Sequence, residues 1–285
     1  MRVFCKNKLG LLGLGILALF AAMAGVAPLL PALDPIYHPI EGMDPRIFTA
    51  SPPSWRHPLG TDAWGRDLLS QLLHGAQVAL LVGIVAAATA VLIGTGVGLV
   101  AGYLGGGVDF LLMRLVDVLL ILPLIPLIML LSAFLGRGMS IWNVVLIIGL
   151  LGWPGVARVI RAQVLTLRAR PFVEAARAYG AGELRIIVRH IAPGVLPLSF
   201  VYMSFGANSA VFLEAALSFI GFGDPRTMSW GMMLQWCFKT GHTFSAPYWI
   251  LPPGLAISAL CLAFYLIGRA MEEIIYPQLR GWPKV

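Results

Sequence analysis

Charge is what this 285-residue chain has least of: Asp, Glu, Lys and Arg make up 12% of it, against 59% hydrophobic residues. A soluble domain carries about 25% charged residues, so the scarcity excludes an aqueous fold and demands lipid. Cysteine is sparse too. Cys5, Cys237 and Cys261 lie far apart, with no C-x-x-C pair and no His/Cys spacing suited to zinc, so neither a disulfide framework nor a metal site can be read from them. Of the four lysines only Lys239 precedes a serine or threonine, and Phe238 stands where a phosphate-cradling G-x-x-x-x-G-K-[ST] loop requires glycine. Nucleotide-derived energy would have to come from another chain. Basic residues exceed acidic ones, 20 to 13, for a formal charge of +7. They flank apolar runs rather than gathering in a solvated patch with aromatic neighbours, which excludes nucleic acid as a partner.

What is abundant is uncharged sequence. Crossing a hydrocarbon core about 30 Å thick takes roughly 20 residues, and the gaps between charged positions predict six helical spans. These are 9–33; 77–103 within the uncharged tract 68–108; 118–136; 139–157, ended by Arg158; a fifth from the Pro193–Pro197 region to about 213; and 247–268, stopped by Arg269. The first span is longer than the ~7–15-residue core of a cleaved signal peptide, so it reads as an anchor despite its basic start and Ala22, Ala24 and Ala27. Lys and Arg near span ends set orientation. With the N-terminus inside, the inner side holds Arg2, Lys6, Lys8, Arg114, the seven arginines from Arg158 to Arg189, Arg269, Arg280 and Lys284. The outer side holds only Arg46, Arg56, Arg66, Arg137, Arg226 and Lys239. Both termini are therefore expected in the cytoplasm. The division is an anchor helix with an external loop over 1–75, then a five-helix core over 76–285 with a cytoplasmic loop at 158–193.

Two loops are more than connectors. The external one, 34–75, is rich in Pro and turn-formers and contains His57-Pro58-Leu59-Gly60-Thr61-Asp62-Ala63-Trp64-Gly65-Arg66-Asp67; it reads equally as a solvated linker or as a surface for an external partner. The cytoplasmic one carries two short amphipathic helices. Pro171 suits a first helical turn, Glu174 the positive end of the dipole and Gly180 a left-handed stop. Phe172, Ala175, Ala176 and Tyr179 fall at i, i+3, i+4 and i+7 and predict one apolar stripe. Leu184, Ile187, Val188 and Ile191 repeat the pattern, with Pro193 marking the end of that helix. A helix of this length is marginal alone. Seven arginines would suit anionic lipid, but a stripe small in the middle and aromatic at its ends suits a protein groove better.

These residues carry a resemblance. Glu174-Ala175-Ala176, three residues, Gly180, then Ile191-Ala192-Pro193 resembles the EAA loop of permease subunits of binding-protein-dependent ABC importers; the leucine usual before the proline is Ala192 here, and position 190 is His190. His57 to Asp67, and Leu213-Glu214-Ala215-Ala216-Leu217-Ser218-Phe219-Ile220-Gly221-Phe222-Gly223 with Ser229-Trp230-Gly231, look like the second permease of dipeptide, oligopeptide and nickel importers. The resemblance implies an all-α type I ABC importer permease fold in the cytoplasmic (inner) membrane. It implies a paralogous permease, two cytoplasmic ATPase subunits that bind the ATP and Mg, and an extracytoplasmic substrate-binding protein, with no catalysis, cofactor or metal in this chain. Phe172, Glu174, Ala175, Ala176, Tyr179 and Gly180 would form the ATPase-coupling helix. Peptides are the expected cargo, with nickel or other metal chelates, glutathione and short oligosaccharides as alternatives.

Rival chemistry is thin. Gly221-Phe222-Gly223-Asp224 spells the G-x-G-D string of intramembrane aspartyl proteases, but no second aspartate lies within a predicted span to share a proton. Glu214, at the outer end of the fifth span, is the candidate for a proton-coupled carrier and reads better as a structural carboxylate. Gly94, Gly96, Gly98 and Gly102 lie in an apolar helix and predict close helix packing rather than dinucleotide binding. Ser199, Ser204, Asn208 and Ser209 are the polar residues of the fifth span; Ser204 and Asn208 are the candidates for a translocation path.

Overall fold

The computed structural model describes residues 7–47, 49–134 and 140–275. Cys5, the basic residues at 2, 6, 137, 280 and 284, and the predicted end of the third span at 136 lie outside those residues. Among the described residues the fold is helical, with five helices long and apolar enough to cross a bilayer and a bent helix pair that makes a sixth if it is counted as one span.

Helix α1 (Lys8–Val26) starts on Asn7, whose side chain accepts from the Leu9 and Gly10 N–H groups and donates to Glu273 at 2.8 Å, fastening it to the last helix. Only Gly10, Gly13 and Phe20 of α1 are buried, so most of it faces lipid. After a short α2 (Leu29–Leu33) and a 3-10 turn at Pro35–Tyr37, the external loop leads to α3 (Leu68–Leu104). At 1.5 Å per residue α3 is about 55 Å long, longer than a bilayer core. Asp67 caps it by accepting from the Ser70 N–H at 2.7 Å.

Packing of α3 against α6 (Ile141–Arg168) organises the core. A Cβ at Gly94, Gly98 or Gly102 would stand 2.7 to 2.8 Å from α6 atoms, including the Ala157 carbonyl. In lipid, where association depends on van der Waals contact, such small residues let backbones meet. Gly96 faces open space and takes no part in this contact.

The third predicted span is not a single helix. Chain that was to cross over 118–136 forms α4 (Gly106–Ile121) and α5 (Leu124–Phe134), which meet at 87°. Pro123 explains the break: it disfavours helical geometry at the preceding residue, and Leu122 is extended (φ −69°, ψ 131°). The start at 118 was too late as well, because α4 carries Asp109, Arg114 and Asp117 on its course. The helix of the fourth span likewise runs on past Arg158, to Arg168. In both helices the charges are tolerated because they pair: Arg158 with Asp117 and Arg161 with Asp109.

Past α6 come α7 (Pro171–Ala178), α8 (Glu183–Ile186), a π turn at Ile187–Ile191 and the fifth span, α9 (Ala192–Ile220). Then α10 (Trp230–Lys239), unforeseen in the sequence, packs against α9 and α11 (Pro247–Ile275) and is too short to cross a bilayer. Ser229 caps it, and the Trp230 indole, fully buried against Gly75, donates to the Leu72 carbonyl at 2.9 Å.

Candidate functional site

The segment over 171–191 is a short helix pair packed on the ends of α3, α6 and α9. Arg170 is extended and Pro171 opens α7 with Glu174 in the first turn. The stop is a Schellman turn: the Ala181 N–H donates to the Ala176 carbonyl at 3.1 Å and the Gly180 N–H to Arg177 at 3.0 Å. Gly180 has φ +78°, a conformation glycine adopts without a Cβ penalty.

The predicted stripe divides in two. Val173, outside it, is fully buried in a cluster with Tyr103, Ile160, Val164, Ile186, Ile191 and Val195, and Ala176 packs half-buried against the same cluster. Phe172, Ala175 and Tyr179 face outward with Glu174, and Tyr179 is 93% exposed. Val173 was legible only as one apolar residue among several; nothing in the spacing marked it as the anchor.

The second helix departs further from its pattern. Instead of one 3.6-period helix ended by Pro193, it is a single turn followed by the π turn and runs directly into α9, with Pro193 in the first turn of that span. A π turn widens the ring in which Pro lacks its N–H and would strike a carbonyl, so the proline is absorbed. The altered period also turns Leu184 and Val188 outward while Ile186 and Ile191 go inward. Phe172, Tyr179, Leu184 and Val188 are thus exposed apolar side chains, and the same segment exposes Arg170, Arg177, Arg185 and Arg189.

At the opposite end of α3, the loop over 34–67 is a folded cap rather than a solvated linker. His57, 1% exposed, has Nδ1 2.9 Å from Asp67 and Nε2 3.5 Å from Asp44. Asp62 accepts from the Trp64 and Arg66 N–H groups and from Gln71, each at 2.9 Å. The Arg46 N–H, donating to Asp44, holds that carboxyl below its usual range, helped by His57 and Arg56 against burial. Burial pushes the carboxyls of Asp62 and Asp67 up, opposed by their hydrogen bonds. The Trp64 and Trp236 rings meet edge to face at 5.5 Å and the Arg66 guanidinium lies against both (5.0 and 4.7 Å), which joins the cap to α10. His57→Ala would leave two buried carboxylates short of a partner, at a cost of about 3 kcal/mol in all. Hydrogen exchange should then show the 44–70 amides opening while those of α6 and α9 stay protected.

The remaining candidates fall into place around α9. Ser199 bonds Thr95 across α3 and α9 at 2.9 Å, Ser204 packs beside Gly268 of α11, and the Asn208 carbonyl accepts from Cys261 of α11. Ser204 and the Asn208 backbone thus meet α11, and neither residue lines the two grooves on α9. One groove, about 500 Å³, runs between α5 and α9 and is lined by Pro123, Leu124, Ile125, Pro126, Ser209, Phe212 and Leu213. A second of about 220 Å³ adjoins it, with Ala87, Gly152, Tyr202 and Gly206 on its walls. Glu214 is buried and accepts from the Ser218 hydroxyl at 2.6 Å. Asp224 accepts from the Ile141 N–H at 2.9 Å and so caps α6, a structural task that removes it from protease chemistry.

Comparison with known proteins follows the same lines. Residues 94–281 match the family described as binding-protein-dependent transport system inner membrane component, and residues 1–53 match the N-terminal transmembrane domain of oligopeptide transport permease C. A dipeptide transport system permease protein of Bacillus subtilis is 34% identical over 277 residues, 96% of this chain and 83% of that one. An oligopeptide transport system permease protein of Haemophilus influenzae is 34% identical over 281 residues, 98% and 88%. A glutathione transport system permease protein of Pectobacterium atrosepticum is 36% identical over 230 residues, 80% and 75%.

Proposed function

We infer a coupling mechanism for this chain, which belongs to the family of binding-protein-dependent transport system inner membrane components. It forms one half of the membrane path of an ATP-driven importer for di- or oligopeptides, the other half being a paralogous permease. Two cytoplasmic ATPase subunits bind ATP and Mg and supply the energy; an extracytoplasmic binding protein delivers cargo. The chain sits in the inner membrane with both termini in the cytoplasm, the side on which Arg158 to Arg189 concentrate positive charge.

The observation that carries this reading is the exposed apolar face of a rigidly anchored helix pair. Phe172, Ala175 and Tyr179 present an aromatic-small-aromatic profile suited to a groove, while Val173 and Ala176 pin the same helix to the bundle. Glu174 adds a charge at the rim and Gly180 sets where the chain leaves the groove. When nucleotide closes the ATPases, α7 moves with them, and the Val173 cluster passes the displacement to α3, α6 and α9 as a rigid-body motion. Alternating access follows from that motion acting on both permeases.

A cysteine at Tyr179 tests the docking directly in a Cys5→Ser background, since the position is exposed while the native Cys237 is buried and Cys261 half-buried. In membranes holding the whole transporter, Tyr179→Cys should crosslink to an ATPase subunit, and ATP should change the yield. Crosslinks to phospholipid alone, or labelling of the cysteine from outside the cell, would sink the reading.

A further inference from the structure

Two ion pairs tie the broken span to the helix that leads into the coupling segment. Arg161 grips Asp109 with two parallel bonds, from Nε and from Nη2, the latter at 2.5 Å. Arg158 Nη2 donates to Asp117 at 2.6 Å, and Arg114 lies 4.0 Å from the same carboxylate. Asp109 stands in the first turn of α4 and Asp117 some 12 Å further along it. The pairs therefore lace α4 antiparallel to α6.

What each helix does elsewhere gives these pairs a purpose. Seven residues beyond Arg161, about 10 Å at helical rise, α6 ends and the chain turns into α7. That helix is held to α3 through Gly98 and Gly102, so it cannot yield independently of the core. α4, by contrast, meets the core through Val116, Met113 and Leu119 against Trp153 and Ala157, while Phe110 and Leu111, a helical turn nearer its start, are exposed. At that end, joined to α3 through Gly105, the guanidinium fork is the polar link to α6. At its other end α4 breaks at Pro123 into α5, one wall of the groove against Ser209 and Phe212. Partly exposed ion pairs add little to stability, but a bidentate fork fixes orientation as a point charge does not.

We propose that the Arg161–Asp109 fork, seconded by Arg158–Asp117, is the joint through which α6 swings the broken span α4–α5 and so opens or closes the groove beside α9. Arg161 and Asp109 are positioning residues for transport, and the proposal rests on the coupling reading of α7. The bend supplies the geometry: rotating α4 about the Val116 contact moves α5 sideways across the face of α9.

The test uses the complete transporter in liposomes and a labelled dipeptide held by its binding protein, reading uptake per ATP hydrolysed. Arg161→Ala and Asp109→Asn should keep stimulated ATP hydrolysis within ~2-fold of wild type while uptake per ATP falls ~10-fold or more, a coupling loss of the usual size. Arg161→Lys should fall between, because it keeps charge without the fork. The exchange Asp109→Arg with Arg161→Asp should restore most of the ratio, as expected of a pairwise interaction. An unchanged ratio in a well-folded Arg161→Ala protein overturns the joint, as does a charge exchange that folds but restores nothing. If Asp109→Asn and Arg161→Ala both aggregate on size exclusion, the pair is a folding contact and the joint is again refuted. Wild-type transporter that hydrolyses ATP without ATP-dependent uptake would overturn the coupling reading and the joint together, which separates that failure from loss of the joint alone.

Discussion

Gly98→Leu should leave almost no folded protein to extract from the membrane. A Cβ there already lies 2.7 Å from the Ala157 carbonyl, 2.8 Å from Ile160 Cβ and 3.0 Å from the Arg161 nitrogen. Two of those three are backbone atoms of a helix, so no rotamer relieves the clash and α3 and α6 must part. Overpacking of this kind costs about 3 kcal/mol. Lipid offers no hydrophobic force to drive the helices back together. The separation also breaks the platform under the Val173 cluster, so ATPase docking should fail with the fold. Fluorescence-detected size exclusion in mild detergent reads the outcome, with Gly96→Leu as the control because nothing stands within 4 Å of a Cβ at that position. Monodisperse Gly98→Leu protein at wild-type yield would refute the close contact.

The second large effect falls on transport and leaves the fold alone. With Phe172→Asp and Tyr179→Asp combined, the isolated chain should behave as wild type, since both side chains are exposed. Burying two aromatic side chains contributes about 4 kcal/mol, and forfeiting it weakens docking roughly a thousandfold. The added carboxylates raise that loss by desolvation, although the surrounding arginines offset part of it. ATP-driven uptake should become undetectable, and the ATPase subunits should no longer copurify with the permease. Wild-type uptake by this double variant would mean that α7 is not the docking element.

The reading of the sequence succeeded where one residue type answers to one force. Gly180 was legible because a positive φ at a helix end selects glycine, and Pro171 and Glu174 because first turns favour both. Apolar length alone located α1, α3, α6, α9 and α11. It failed where partners distant in sequence reverse a local rule. Asp109 and Asp117 look like span boundaries until Arg161 and Arg158 are seen beside them. The helix α10 hid between spans because Trp230, Met232 and Met233 are buried by α3, α9 and the external cap, not by a stripe of their own.

By itself the sequence determined that this is a multi-pass helical membrane protein with a short capped helix at 171–180 and no nucleotide loop in its 285 residues. Those features follow from composition and short-range spacing: hydrocarbon thickness sets span length, and backbone geometry sets caps. Only the tertiary structure decided that the third span is broken, that Val173 turns inward while Phe172 and Tyr179 turn out, and that His57 is a buried strut rather than an exposed contact. Val173 and His57 are decided by which side chains become neighbours once the chain folds, and the broken span by the angle at which α4 and α5 meet beyond Pro123, and the spacing of the residues concerned writes neither.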